Sequence, residues 1–201
     1  MTATPSASQV ARARAGALPV VRIPGRHHGR PLPVPTIDAS RRDGPMEERV
    51  ARTVSRSVAA GWPAFVFTPS KSACLSLFAY LSSSLQGVGV DWMHSGRHER
   101  DEVRRRFAER RAGVLVCTSV MERGITVEGA DVVVASADAT RIFDHRALVQ
   151  MAGRSGRSHA RPEGRVTFVC SAPTRAMKLA ISMIEEMNEH ARAMGYVNDN
   201  R

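Results

Sequence analysis

Four short and almost wholly apolar runs set the class of fold. They are "PAFVF" at 63–67, "GVLVC" at 113–117, "DVVVAS" at 131–136 and "GRVTFVC" at 164–170. Runs of this length without polar alternation read as strands buried on both faces. "VGVDWM" at 88–93 is strand-like as well. Between them lie stretches with helical spacing. "GPMEERVARTVSRSVAAG" sets Met46, Val50, Val54 and Val58 near one face, and Gly61 ends it. "SKSACLSLFAYLSSSLQG" places Leu77, Leu81 and Leu85 in register. "RHERDEVRRRFAERRAG" is a charged helix that buries little beyond Val103 and Phe107. "DHRALVQMAGRSGR" is a helix that runs into glycines, and "TRAMKLAISMIEEMNEHARAMG" a closing helix with Ala176, Ala180, Ile184, Met187 and Ala191 along one side. Strands alternating with helices predict an α/β domain, a parallel sheet covered on both faces. Right-handed crossovers distribute the helices to the two sides. In such sheets the working residues gather at the carboxyl ends of the strands. That rim holds Thr68 to Ser70, His94 with Ser95, and Thr118 with Ser119.

The segment before Gly44 differs in texture. It is poor in large apolar groups, and "HHGRPLPVP" puts Pro31, Pro33 and Pro35 at alternate positions, which blocks helix and favours an extended course. We read residues 1–45 as a linker, 46–195 as the domain and 196–201 as a tail. Cys74, Cys117 and Cys170 each sit in an apolar run with no CxxC pair, so buried free thiols are expected. No apolar run approaches the ~18–20 residues that span a bilayer, and the first residues lack the apolar core of a signal peptide. The expected location is the cytoplasm.

Charge points to a polyanion. The chain has 29 Lys and Arg against 19 Asp and Glu, a net charge of +10. Only Lys71 and Lys178 are lysines, so arginine supplies nearly all of it. Such a balance favours phosphate partners, although an arginine-rich genome gives the same bias.

The strongest local signal is "QMAGRSGR", Gln150 to Arg157. Gly153 and Gly156 permit a turn and close approach. Arg154 and Arg157 share a helix face or a tight turn, and two guanidiniums held that close suit a polyphosphate. The alternative is a pair of surface salt bridges. A second signal is "VLVCTSVMERGITVEGADVVV", where a strand ends in Thr118 and Ser119 before Arg123 and Gly124. Hydroxyls and N–H groups at a strand end can hold a nucleic-acid backbone, or Thr118 or Ser119 can simply cap a helix. At the third, "VFTPS" and "MHSGRHER", Thr68, Ser70, His94 and Ser95 end strands; His94 alone is more often a structural or partly exposed histidine than a catalyst. The arginines from Arg97 to Arg111 are mixed with acids, and read equally as a solvated face or as phosphate contacts. No GxxxxGK[ST] loop occurs, and no Asp-Glu pair closes an apolar strand.

In this order the segments resemble the second RecA-like domain of superfamily-two helicases, from about Gly61 to Cys170. "VFTPS" is similar to the fourth motif, "TSVMERGIT" to the fifth and "QMAGRSGR" to the sixth. With "ADATRIFDHRALVQMAGRSGR", "TRAMKLAISMIEEMN" and "RHHGRPLPVP", the chain more closely resembles the ComFA-like late competence helicases, which are thought to draw single-stranded DNA into the cytoplasm using ATP. The opening "TATPS", with Thr2 and Thr4, resembles the third helicase motif. The resemblance therefore implies that the chain begins at the last motif of a first RecA-like domain. That domain would carry the P-loop, the acidic box for Mg²⁺ and a Cys-rich zinc module.

The resemblance also implies roles. Arg154 and Arg157 would reach the ATP phosphates, one or both as arginine fingers, and Gln150 would help position the nucleotide or the attacking water. Arg123, Gly124 and Thr126 would line the cleft with Gly153 and Gly156, although Thr126 stands where many relatives carry Asp. Thr68, Ser70, His94, Ser95, Thr118 and Ser119 would touch the DNA backbone. ATP and Mg²⁺ belong to the complete two-domain enzyme, and this chain alone is expected to bind neither. Implied partners are single-stranded DNA, a first RecA-like domain in cis or in trans, and other DNA-uptake proteins at the membrane. The competing readings are a standalone nucleic-acid-binding or interaction module without turnover, and a remnant with no role.

Overall fold

The structure is a computed structural model that describes residues 11–13, 15–16, 26, 28–40, 44–109, 113–118, 129–158 and 161–197. Its strands are β1 Thr36–Asp38, β2 Ala64–Thr68, β3 Val90–Met93, β4 Val114–Thr118, β5 Asp131–Ala135 and β6 Val166–Val169. Its main helices are α1 Met46–Ala59, α2 Lys71–Ser84, α3 Arg100–Ala108, α4 His145–Ala152 and α5 Arg175–Ala193. The strands form one sheet in the order β1-β6-β5-β2-β4-β3, and every pairing is parallel.

The period of two along each strand divides the core. Phe65, Phe67, Leu115, Cys117, Val132 and Val134 face α3, α4 and α5, where they meet Val103, Phe107, Leu148, Met177 and Ile184. Ala64, Val66, Val114, Val116, Val133 and Ala135 face α1 and α2, where Val50, Val54, Cys74, Leu77 and Leu81 close over them. All three cysteines are free and buried, as their apolar settings imply. The charged helix α3 holds on through few groups: Val103 and Phe107 are fully buried, with Phe107 edge-on to Phe65 at 4.9 Å. Each such side chain contributes about 1.5–3 kcal/mol. No helix among the described residues is long and apolar enough to cross a membrane.

Local chemistry sets the helix starts and stops. Ser70, Asp144 and Thr174 accept hydrogen bonds from the backbone N–H groups of Ala73, Ala147 and Met177 at 3.1, 2.8 and 3.3 Å. Gly61, at φ +79°, ends the α1 turn.

Two buried polar groups depart from the sequence reading. The stripe expected on α5 contains Asn188, which is buried beside Ala180, Ile184 and Ala191. Its amide accepts from Leu32 N at 2.7 Å and donates to Leu32 O at 2.9 Å, so it satisfies both backbone groups of a residue 156 positions away. This contact leads the proline-rich segment into β1, a strand absent from the sequence reading because it has only three residues and follows three prolines. Arg49 of α1 fixes that edge strand: it donates to Asp38 Oδ1 at 2.9 Å, to Asp38 O and to Cys170 O at 3.0 Å.

Asp131, the first residue of β5, is the other. It is 2% exposed. It accepts from Ser57 Oγ at 2.6 Å and from Arg165 N at 2.8 Å, and pairs with Arg161 at 2.8 Å. Arg161 in turn donates to Gly129 O at 2.7 Å and lies over the Trp62 ring at 4.7 Å. This network closes the amino-terminal rim of the sheet, and Arg165, which donates to Asp131, also accepts from Ser155 Oγ through its carbonyl at 3.2 Å.

Candidate nucleotide and nucleic-acid site

The strand register brings the rim residues to one level. Thr68 pairs with Thr118, and Met93 with Cys117, so His94 follows directly beside Thr118. Their side chains are differently engaged. Thr68 is buried and donates to Cys117 O at 3.2 Å. Ser70 caps α2 and exchanges a hydrogen bond with Ser72 Oγ at 2.9 Å. His94 accepts from Gly96 N at 3.0 Å through Nδ1, which leaves Nε2 as the donor, and its ring lies 4.8 Å from that of Trp92. Ser95 is exposed. Thr118 Oγ1 is buried and makes no hydrogen bond. Among the described rim hydroxyls it keeps its full capacity to donate and accept. Ser119, Arg123, Gly124 and Thr126 lie outside the described residues.

The loop after α4 carries the other candidate residues and packs beside the start of β6, where Ser155 Oγ donates to Arg165 O at 3.2 Å. Asp144 caps the helix. Burial opposes its ionisation, but the Ala147 N–H and the Arg146 guanidinium outweigh that and hold its pKa below the usual value. Gln150 sits in the last turn of α4. Gly153 takes the C-cap position, and the N–H groups of Arg154 and Ser155 bond back to Met151 O at 3.0 Å and Ala152 O at 3.1 Å. Gly156 has φ +65°, and a Cβ there would run into Pro162 O and come within 3.0 Å of Arg26 Nη1. Glycine is therefore demanded twice, by backbone conformation and by space.

Arg157 Nε donates to Gly153 O at 2.8 Å, so the loop's own carbonyl holds the guanidinium. Arg154 lies within electrostatic reach of the end of β4. Burial pushes the Cys117 thiol well up, Cys74 adds to that rise, and the charge of Arg154 acts against it. A third arginine completes the group. Arg26 donates through Nη1 to Ser155 O at 2.7 Å and Gly156 O at 2.6 Å, and through Nη2 to Gly153 O at 3.3 Å. Its pKa is pushed down to about 10, first by burial and then by the charge of Arg157. Burial also lowers the pKa of Arg157. Like charges gathered on one loop suit a polyanion. The sequence reading missed Arg26: it lies in the proline-rich segment, 127 residues or more from its partners.

The arginines about α3 resolve the other way. Arg97 and Arg106 both pair with Asp91 at 2.6 Å, and Arg97 lies over Trp92. Arg104 pairs with Asp101 at 3.0 Å and Arg105 with Glu102 at 2.8 Å. These four guanidiniums have acidic partners within the domain, as a solvated, ion-paired face requires.

The donor set at the site is cationic and suits phosphate oxygens. Among the described residues no group of three His, Cys, Asp or Glu side chains could hold a metal ion.

Comparison with known proteins agrees with this architecture. The helicase conserved C-terminal domain matches residues 47–159, from α1 through the glycine-arginine loop. The chain is 32% identical to competence protein ComFA of Bacillus subtilis over 199 residues, which cover 95% of this chain and 42% of that protein. It is 26% identical to competence protein ComFA of Streptococcus pneumoniae over 201 residues, or 95% of this chain and 45% of that one. The chain thus spans less than half the length of these curated relatives. Among solved structures, S. cerevisiae Dbp5 bound to RNA and ADP BeF3 superposes with a TM-score of 0.63 at 18% identity, covering 92% of this chain and 47% of that one. RecG bound to a three-way DNA junction gives a TM-score of 0.58 at 27% identity, covering 86% and 21%. The six-stranded parallel sheet is the RecA-like fold of helicase C-terminal domains, and the chain belongs to the helicase conserved C-terminal domain family.

Proposed function

We propose that this chain is the second motor domain of an ATP-dependent translocase that moves single-stranded DNA during DNA uptake in competence. The observation that carries the reading is the pair of Arg154 and Arg157 on a glycine-shaped loop, with the charge of Arg154 reaching the end of β4, where Thr118 Oγ1 is buried without a partner. The likeness to ComFA over 95% of the chain supports the competence setting.

A first RecA-like domain, in the same polypeptide or a separate chain, holds ATP and Mg²⁺. When bound there, ATP supplies the phosphoryl group that is transferred to water. Arg154 and Arg157 reach across the cleft as arginine fingers and stabilise the charge that develops during that transfer. Gln150 positions the nucleotide or the attacking water, and Gly153 and Gly156 allow the loop its close approach. Arg123, Gly124 and Thr126 line the cleft and link it to the rim. Thr118, Ser119, Ser70, His94 and Ser95 hold the DNA backbone; Thr68 supports them, since its hydroxyl already bonds Cys117 O. A grip on phosphates rather than bases makes movement independent of sequence. The domain works in the cytoplasm against the membrane uptake machinery, and other DNA-uptake proteins are its further partners.

Salt tests the DNA grip. The logarithm of the affinity for a single-stranded oligonucleotide falls linearly with the logarithm of salt concentration, by about 0.7 for each phosphate neutralised. Three contacts therefore weaken binding roughly 20-fold between 50 and 200 mM salt. A flat response removes DNA as the partner. A steep response in a chain that never supports ATP turnover favours a standalone binding module.

A further inference from the structure

The segment read as a linker grips the finger loop. The end of an α-helix leaves carbonyl groups without intrahelical donors, and these usually turn to water. Here one guanidinium gathers three loop carbonyls, those of Gly153, Ser155 and Gly156. His28 adds a fourth bond. Its Nδ1 accepts from Arg30 N at 3.2 Å, so Nε2 carries the proton and donates to Gly156 O at 2.8 Å. Gly153 O is the shared point. It accepts from Arg26 Nη2 and from Arg157 Nε, so the atom that anchors Arg157 is itself held by Arg26. Downstream, Asn188 pins the backbone of Leu32, and β1 joins the sheet. The segment is therefore tied to the domain on both sides of its prolines.

We propose that Arg26 and His28 are positioning residues that fix the loop from Gly153 to Arg157 and so set where the Arg157 guanidinium lies in the catalytic cleft. This rests on the reading of Arg157 as an arginine finger. Neither residue needs to touch the nucleotide, because each acts through loop carbonyls. Arginine at position 26 is required for its planar fork: lysine carries the charge but cannot serve three carbonyls from two nitrogens.

Two measurements test the proposal. Hydrogen exchange on the full chain reads the loop directly. Arg26→Ala accelerates exchange at residues 153–157 and leaves the amides of β2, β4 and β5 protected. Turnover of the chain with its first domain reads the consequence. A misplacement of about 1 Å can cost on the order of 100-fold, so Arg26→Ala lowers kcat about 10- to 100-fold. KM for ATP and the affinity for single-stranded DNA stay within about twofold, the signature of an interaction made in the transition state. His28→Ala removes one of the bonds to the loop, that to Gly156 O, and keeps the fold; it lowers kcat less, and His28→Gln, whose amide donates from the place of Nε2, restores it. Unchanged exchange at 153–157 in Arg26→Ala overturns the clamp whatever turnover does. Faster exchange with unchanged kcat, in an enzyme that Arg157→Ala stops, overturns its catalytic role. If Arg157→Ala itself leaves turnover intact, the finger reading is what fails.

Discussion

Arg157→Ala stops ATP turnover in the two-domain enzyme and leaves the affinity for single-stranded DNA within about twofold, the split expected of a residue that acts on the transferring phosphate. The expected fall in kcat is large, about 10³- to 10⁵-fold, the range an arginine finger supplies by neutralising charge in the transition state. Arg157→Lys does not rescue it. Lysine offers a point charge without the fork, and it also loses the Nε bond to Gly153 O that orients the guanidinium. The DNA result follows from placement: Arg157 sits on the loop after α4, whereas the proposed backbone grip falls on strand ends. A joint loss of DNA binding and turnover would reassign Arg157 to the track. Loss of DNA binding from a chain with no part in turnover would favour the binding module.

The second large effect concerns stability. Asp131→Ala leaves the Arg161 guanidinium buried without its carboxylate and removes the acceptor for Ser57 and Arg165 N. Breaking one partner of a buried pair costs about 3–5 kcal/mol. For a chain of this size that lowers Tm by on the order of 10 °C. Thermal unfolding followed by circular dichroism measures it. A variant with unchanged Tm would show that the network is not a closure of the sheet.

The sequence made the strands legible because burial on both faces leaves almost no polar residue between their ends, as "GVLVC" and "DVVVAS" illustrate. The rim followed from the parallel sheet, since the carboxyl ends of parallel strands lie together. What stayed hidden was polar and nonlocal. Asn188 occupies a core position on α5, and only its pairing with Leu32 explains it. Asp131 opens an apolar strand as an ordinary boundary residue would. Arg26 carries no local signal, because its partners are carbonyls of a distant loop rather than side chains. The α3 arginines were ambiguous for the opposite reason: charge alone does not distinguish a guanidinium paired with Asp91 from one directed at phosphate.

The measurement that bears most directly on the account is DNA-stimulated ATP hydrolysis by a first RecA-like domain carrying the P-loop, with and without this chain. The account predicts turnover, accelerated by single-stranded DNA, only when both are present. An equal rate from the first domain alone would contradict it, as would a complete pair that binds DNA and never hydrolyses ATP.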